Sequence, residues 1–208
     1  MELRTHDILK ISDSELLVGK LPMPGWVSES LNDTPYVVVR REFMSNEMIP
    51  VGVRGTNRNE RFAAFLPLHA IVEQITPESL VAKAIWTAHA RFQQLEALQA
   101  LALIKPISKG LNVQWGPTGS VGFELASGHH SVHDCSDLDL IMRVEQLPSL
   151  EVAKRILQML DQVPVRTDVQ IETPIGAVAL AEYAQGNRMV LLRTQAGPRL
   201  VGMGGNYK

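Results

Sequence analysis

The pair Gly119-Ser120 and, further along, the run Ser136-Asp137-Leu138-Asp139-Leu140-Ile141 carry the residue types for phosphoryl chemistry on a nucleotide-like substrate. Aspartates two apart on a strand point to one face, so Asp137 and Asp139 could share divalent cations while Leu138 and Leu140 turn to the core. Hard cations such as Mg²⁺ or Mn²⁺ take carboxylate oxygens. Gly119-Ser120, opening a short helix, offers phosphate oxygens its backbone N–H groups, the positive end of the helix dipole and a hydroxyl. Taken alone, such a pair is a cap or a turn, and an Asp-x-Asp strand is a solvated face. The combination is more specific. A third aspartate, Asp168, lies on the polar face of a later strand, and three carboxylates brought together repel one another unless cations neutralise them.

Alternating periods predict the elements that position these groups. They are a strand at 112–115, a glycine-rich turn at 116–120, a helix over 121–127, a strand over 137–144, a helix over 149–160, and a strand over 165–172 whose polar face holds Arg166, Asp168, Gln170 and Glu172. Apolar runs at 176–180 and 189–192 follow. Upstream, Thr76-Pro77-Glu78 is a helix start. It opens a helical region to about Ile104, expected to break near Thr87 to Ala90 and to join two halves of the protein.

The N-terminal half shows two β-branched strands, Tyr36-Val37-Val38-Val39 and Pro50-Val51-Gly52-Val53. Around them lie Arg40, Arg41, Arg54, Arg58 and Arg61, a candidate basic patch. Arg54, Arg58 and Arg61 read either as fork-shaped anchors for phosphates and carboxylates or as ordinary solvated charges. The expected division is an N-terminal α+β domain over 1–80 and a catalytic domain over 81–208.

Composition narrows the class. The chain has 208 residues, 45% hydrophobic and 20% charged, with a net charge of −2, so no global attraction draws it to nucleic acid. Cys135 is the only cysteine, which excludes an internal disulfide and fits a reducing compartment. The first residues lack the apolar run of a signal peptide, and no apolar stretch reaches the roughly 18 residues of a membrane span. A soluble cytoplasmic protein with no nucleic-acid or membrane partner is expected.

The order Gly-Ser, Asp-x-Asp, later Asp resembles the nucleotidyltransferase superfamily of the DNA polymerase β type over roughly residues 105–195. The interval from Ser120 to Asp137 is longer than usual there and holds an extra loop at 128–135. A closer likeness spans nearly the whole chain. The runs at 36–41, 50–55, 116–126 (Gly-Pro-Thr-Gly-Ser-Val-Gly-Phe-Glu-Leu-Ala), 136–140 and 168–174 are similar to the malonate decarboxylase holo-acyl-carrier-protein synthases, or phosphoribosyl-dephospho-CoA transferases.

That resemblance implies an α+β protein with a polymerase-β-type catalytic domain, mixed sheet and flanking helices, beside a smaller N-terminal α+β domain. It implies transfer of a 2'-(5''-phosphoribosyl)-3'-dephospho-CoA group from its triphosphate, triphosphoribosyl-dephospho-CoA, to a serine of the acyl-carrier protein of malonate decarboxylase, releasing diphosphate. Asp137, Asp139 and Asp168 would then be catalytic and metal-binding, with Gly119 and Ser120 on the leaving phosphates. An ATP-dependent nucleotidyltransferase and a degenerate nucleotide-binding module are the alternatives.

Other features read more plainly. His129, His130, His133, Asp134 and Cys135 lack the fixed spacing of structural zinc. Glu172 is a supporting group for Asp168 or a surface residue, and Trp86 and Trp115 are core or interface anchors. Gly116, Gly119 and Gly122 do not match the dinucleotide fingerprint.

Overall fold

The computed structural model describes residues 2–45, 47–57, 59–109 and 113–202. The chain forms two compact units, one drawn from the segment up to Thr76 with Ala126–His129, the other from Pro77–Leu125 and from His130 onward. The architecture is α+β, with a six-stranded sheet in each unit.

The first unit comprises β1 (Ile8–Ile11), β2 (Val18–Gly19), α1 (Gly25–Asp33), β3 (Tyr36–Val39), β4 (Met48–Arg54), β5 (Arg61–Pro67) and β6 (Ile71–Ile75). All its pairings are antiparallel, in the order β2-β5-β4-β3-β1-β6. Alternation buries Val37 and Val39 of β3 and Val51 and Val53 of β4, while α1 contributes Val27 and Leu31, one helical turn apart, to the same core. The two strands expected here are β3 and β4. The other strands and α1 were not legible, because runs such as Ile-Leu-Lys-Ile and Arg-Phe-Ala-Ala-Phe-Leu are too short for their periodicity to separate strand from other structure.

The second unit comprises α2 (Pro77–Lys83), α3 (Glu96–Lys109), β7 (Gln114–Pro117), α4 (Gly119–Ser127), β8 (Leu138–Arg143), α5 (Leu150–Leu160), β9 (Thr167–Thr173), β10 (Gly176–Ala179), α6 (Leu180–Ala184), β11 (Met189–Thr194) and β12 (Gly197–Gly202). The order is β12-β11-β10-β9-β8-β7, and among the described residues only β8 and β9 run parallel. Parallel neighbours need a crossover, here α5. Ser149 caps it by accepting the Val152 N–H at 3.3 Å, and it buries Ala153, Ile156 and Leu160.

Several expected boundaries move. The helical region is interrupted from Ala84, which has a left-handed φ of +48°, to Leu95, a break that includes the expected 87–90 but starts earlier and is longer. A 3₁₀ turn over Ile85–Ala88 follows, in which Trp86 is buried, and helix resumes only at Glu96. Burying that indole takes the chain off the helical path. The expected strand at 112–115 starts at Gln114, Leu111 and Asn112 lying outside the described residues. It runs on through Gly116 and Pro117, opposite Ile141 and Leu140, so the expected turn shrinks to Thr118. The next strand begins at Leu138, whose N–H donates to the Arg166 carbonyl at 2.9 Å, and Asp137 falls just before it.

Two contacts hold α2 on this sheet. Arg143, 8% exposed at the end of β8, pairs with Glu78 of α2 at 2.6 Å and lies 3.7 Å from Glu172 on β9. Gly116 lies against Pro77 so closely that a β-carbon there would meet the proline backbone, with Pro77 Cβ only 2.6 Å away. Replacing Gly116 by Ala is therefore expected to lower stability by about 1–3 kcal/mol, read as a reduced melting temperature.

Candidate active site

The site is built at one end of the parallel pair. Register places Asp139 of β8 directly beside Asp168 of β9, so both side chains leave the sheet on the same face from strands roughly 4.8 Å apart. The Thr118 N–H donates to the Asp139 carbonyl at 2.8 Å, bringing the start of α4 against β8. Gly119 then turns the chain with a φ of +59°. A β-carbon on it would sit 2.8 Å from Asp139 Cγ and collide with Oδ2. Glycine is required both for the backbone angle and for the approach of that carboxylate. Ser120 follows in the first turn of α4.

The structure thus brings Gly119, Asp139 and Asp168 together. Asp137 precedes β8, led in by a tight turn in which the Ser136 N–H donates to the His133 carbonyl at 2.9 Å and the His133 N–H donates to Ser136 Oγ at 2.9 Å. The expectation that both aspartates sit within the strand is corrected, since pairing with β9 starts only at Leu138. Asp168 is about half exposed and lies 3.5 Å from Arg166, an ion pair open to solvent and of little energetic weight. The carboxylates are hard donors of the type Mg²⁺ and Mn²⁺ take, and register sets those of Asp139 and Asp168 on adjacent strands. Among the described residues no group of three or more His, Cys, Asp or Glu side chains converges closely enough to hold a metal.

The residue that sequence reasoning missed is Glu124 of α4, completely buried. Its carboxylate accepts from Arg91 Nη1 at 2.9 and 3.0 Å and from the Ser131 and Val132 N–H groups, each at 2.8 Å. Arg91 Nη2 donates to the Val132 carbonyl at 2.9 Å, and Ser131 Oγ donates to the Ser120 carbonyl at 2.9 Å. The available signal was a lone acid inside the apolar run Val121 to Ala126.

The arginines lie in the first unit. Arg54 and Arg61 face each other across β4 and β5, and Arg58 lies outside the described residues. Arg61 donates to the Glu60 carbonyl at 2.8 Å. The turn between the strands is set by Glu60, whose carboxylate accepts from the Asn57 N–H and side-chain amide, both at 2.9 Å. These bonds hold Glu60 below the usual carboxylate range. Arg40 is engaged with Glu42 at 2.9 Å, and Lys20 meets the same carboxylate at 2.6 Å.

Of the histidine-rich loop, His129 Nδ1 lies 3.2 Å from Thr34 Oγ1, and Cys135 is exposed. Trp86 and Trp115 are buried, and Glu172 faces Arg143. No helix among the described residues is long and apolar enough to cross a membrane.

The fold and the comparisons with known proteins define a two-domain α+β enzyme of the transferase class. Residues 4–77 match the model of the phosphoribosyl-dephospho-CoA transferase MdcG N-terminal domain, and residues 82–203 that of its C-terminal domain. The chain belongs to the phosphoribosyl-dephospho-CoA transferase family. It is 40% identical to the phosphoribosyl-dephospho-CoA transferase of Pseudomonas putida (strain GB-1) over 203 residues, 96% of this chain and 93% of that one. The enzymes of that name from Azotobacter vinelandii and Klebsiella pneumoniae (strain 342) are 38% and 37% identical, over 95% of this chain and 92% and 93% of theirs. No solved structure matches the chain at comparable significance.

Gly119→Ala is expected to fold with a stability loss of about 1–2 kcal/mol and to lose most of its turnover, because the methyl group displaces Asp139. Calorimetry with single-turnover kinetics checks both. Glu42 is held below its usual value of 4.5, first by the hydrogen bond from Lys20 and also by Arg40. A depressed carboxylate contributes stability above its unfolded pKa that disappears as pH falls through its folded one. The melting-temperature gap between wild type and Glu42→Gln is accordingly expected to be largest at neutral pH and to close below pH 4.5.

Proposed function

We propose that this chain transfers the 2'-(5''-phosphoribosyl)-3'-dephospho-CoA group from triphosphoribosyl-dephospho-CoA to a serine of the acyl-carrier subunit of malonate decarboxylase, releasing diphosphate in the cytoplasm. The observation that carries this reading is the match of both halves of the chain to the two domain models of one transferase family. The register of Asp139 with Asp168 beside Gly119 supports it.

In the proposed step the serine oxygen bonds to the α-phosphorus of the donor. The bond from that phosphorus to the oxygen bridging to the β-phosphate breaks, and diphosphate departs with the electron pair. Asp168 accepts the serine proton. Gly119 and Ser120 hold the leaving phosphates with backbone N–H groups and a hydroxyl. Asp139 and Asp168, side by side in register, would hold Mg²⁺ or Mn²⁺, with Asp137 drawn in to them on binding, and the bound ion would neutralise the charge on the leaving group. Arg54, Arg58 and Arg61 take donor phosphates or carrier carboxylates, for which the planar guanidinium is suited.

The test is mass spectrometry of apo carrier protein incubated with the enzyme, Mg²⁺ and the donor, with ATP as a parallel donor. The carrier is expected to gain the mass of the phosphoribosyl-dephospho-CoA group, and Asp139→Asn to abolish that gain while remaining folded. An adenylyl adduct from ATP alone would replace this reading with that of an adenylylating enzyme.

A further inference from the structure

A buried carboxylate is costly unless every oxygen is compensated. Glu124 is compensated by Arg91 and by the loop at 131–132, which is itself tied to the candidate site through Ser120. It sits one turn beyond Ser120 on α4, with both oxygens on Arg91 and one also on two consecutive amides of the loop that leads to Asp137. His89 adds a further partner. Its Nδ1 accepts the Arg91 N–H at 3.3 Å, which leaves the proton on Nε2, 3.7 Å from Glu124. The same loop returns to the site through Ser131 Oγ, bonded to the Ser120 carbonyl. The path from Glu124 to the first turn of α4 is therefore a chain of short hydrogen bonds with a single hydroxyl as its last link.

Resting on the reading of this edge as the place of transfer, we propose that Glu124 is a positioning residue for the reaction. Through Arg91 and Ser131 it fixes the Ser120 backbone and the loop entering Asp137. Misplacement on the ångström scale costs about a hundredfold in rate, so a loop freed from Glu124 lowers turnover even while the fold persists. The effect falls on kcat, because the clamp orients groups that act in the transition state and touches no substrate.

The experiment measures carrier modification, melting temperature and amide exchange for the full-length wild type, Glu124→Gln, Ser131→Ala, Ser131→Thr and Asp139→Asn. Glutamine keeps the shape but presents an NH₂ where donors converge. Glu124→Gln is expected to lower kcat about tenfold or more, with KM for the donor within about twofold, and to speed exchange at Ser131 and Val132. Ser131→Ala removes only the last hydroxyl; it is expected to lower kcat roughly three- to tenfold at an unchanged melting temperature, and Ser131→Thr to restore it. Wild-type kcat in Ser131→Ala and in any folded Glu124→Gln, with Asp139→Asn inactive, overturns the positioning role alone. Should Glu124→Gln not fold, Ser131→Ala and its rescue decide by themselves. A fully active Asp139→Asn, or a wild type that modifies no carrier, overturns the underlying reading and the positioning role with it.

Discussion

The carboxylate of Glu124 is the constraint around which the second unit is arranged. An ion withdrawn from water costs several kcal/mol, and only a full set of donors offsets it. Those donors come from two places in the chain, the segment at 89–91 and the loop at 131–132, and Ser131 ties that loop in turn to the Ser120 carbonyl in the first turn of α4. Neither the segment at 89–91 nor the loop at 131–132 belongs to a strand or an α-helix. The buried charge does for them what a sheet does for a strand: it leaves one arrangement in which no polar group is stranded.

Around that point the sheet sets the spacing of the acidic groups. β8 and β9 are a parallel pair among strands otherwise antiparallel over the described residues, and α5 provides the crossover. Parallel register puts Asp139 and Asp168 side by side although 29 positions separate them in the numbering. Close backbone approach then does the remaining placement. Gly119 admits the Asp139 carboxylate, and Gly116 admits Pro77, seating α2 against β7 while the Arg143–Glu78 pair fastens it. Two glycines that read as part of one motif thus serve two separate contacts.

The first unit follows a different logic. Its antiparallel strands share an apolar core. Arg54 and Arg61 are like charges set opposite each other by the β4–β5 register, which disfavours the pair by itself. Glu60 and Glu42, kept ionised by neighbouring amides and cations, temper the local positive charge.

What the amino-acid sequence determined by itself is the residue types at the candidate site and the local elements. The aspartates, the Gly-Ser turn, the β-branched strands at 36–39 and 50–53 and the Ser149-capped helix were legible because composition, period and capping are properties of neighbours in the chain. Tertiary structure alone decided the rest. It set Asp137 just outside β8, broke the helix at Ala84 so that Trp86 could be buried, and paired Asp139 with Asp168. It also turned Glu124 from one acid in an apolar run into the centre of a hydrogen-bond network. Each of these outcomes depends on strand register or on burial. Both are settled between segments far apart in the chain, where a one-residue slip sends every side chain to the opposite face.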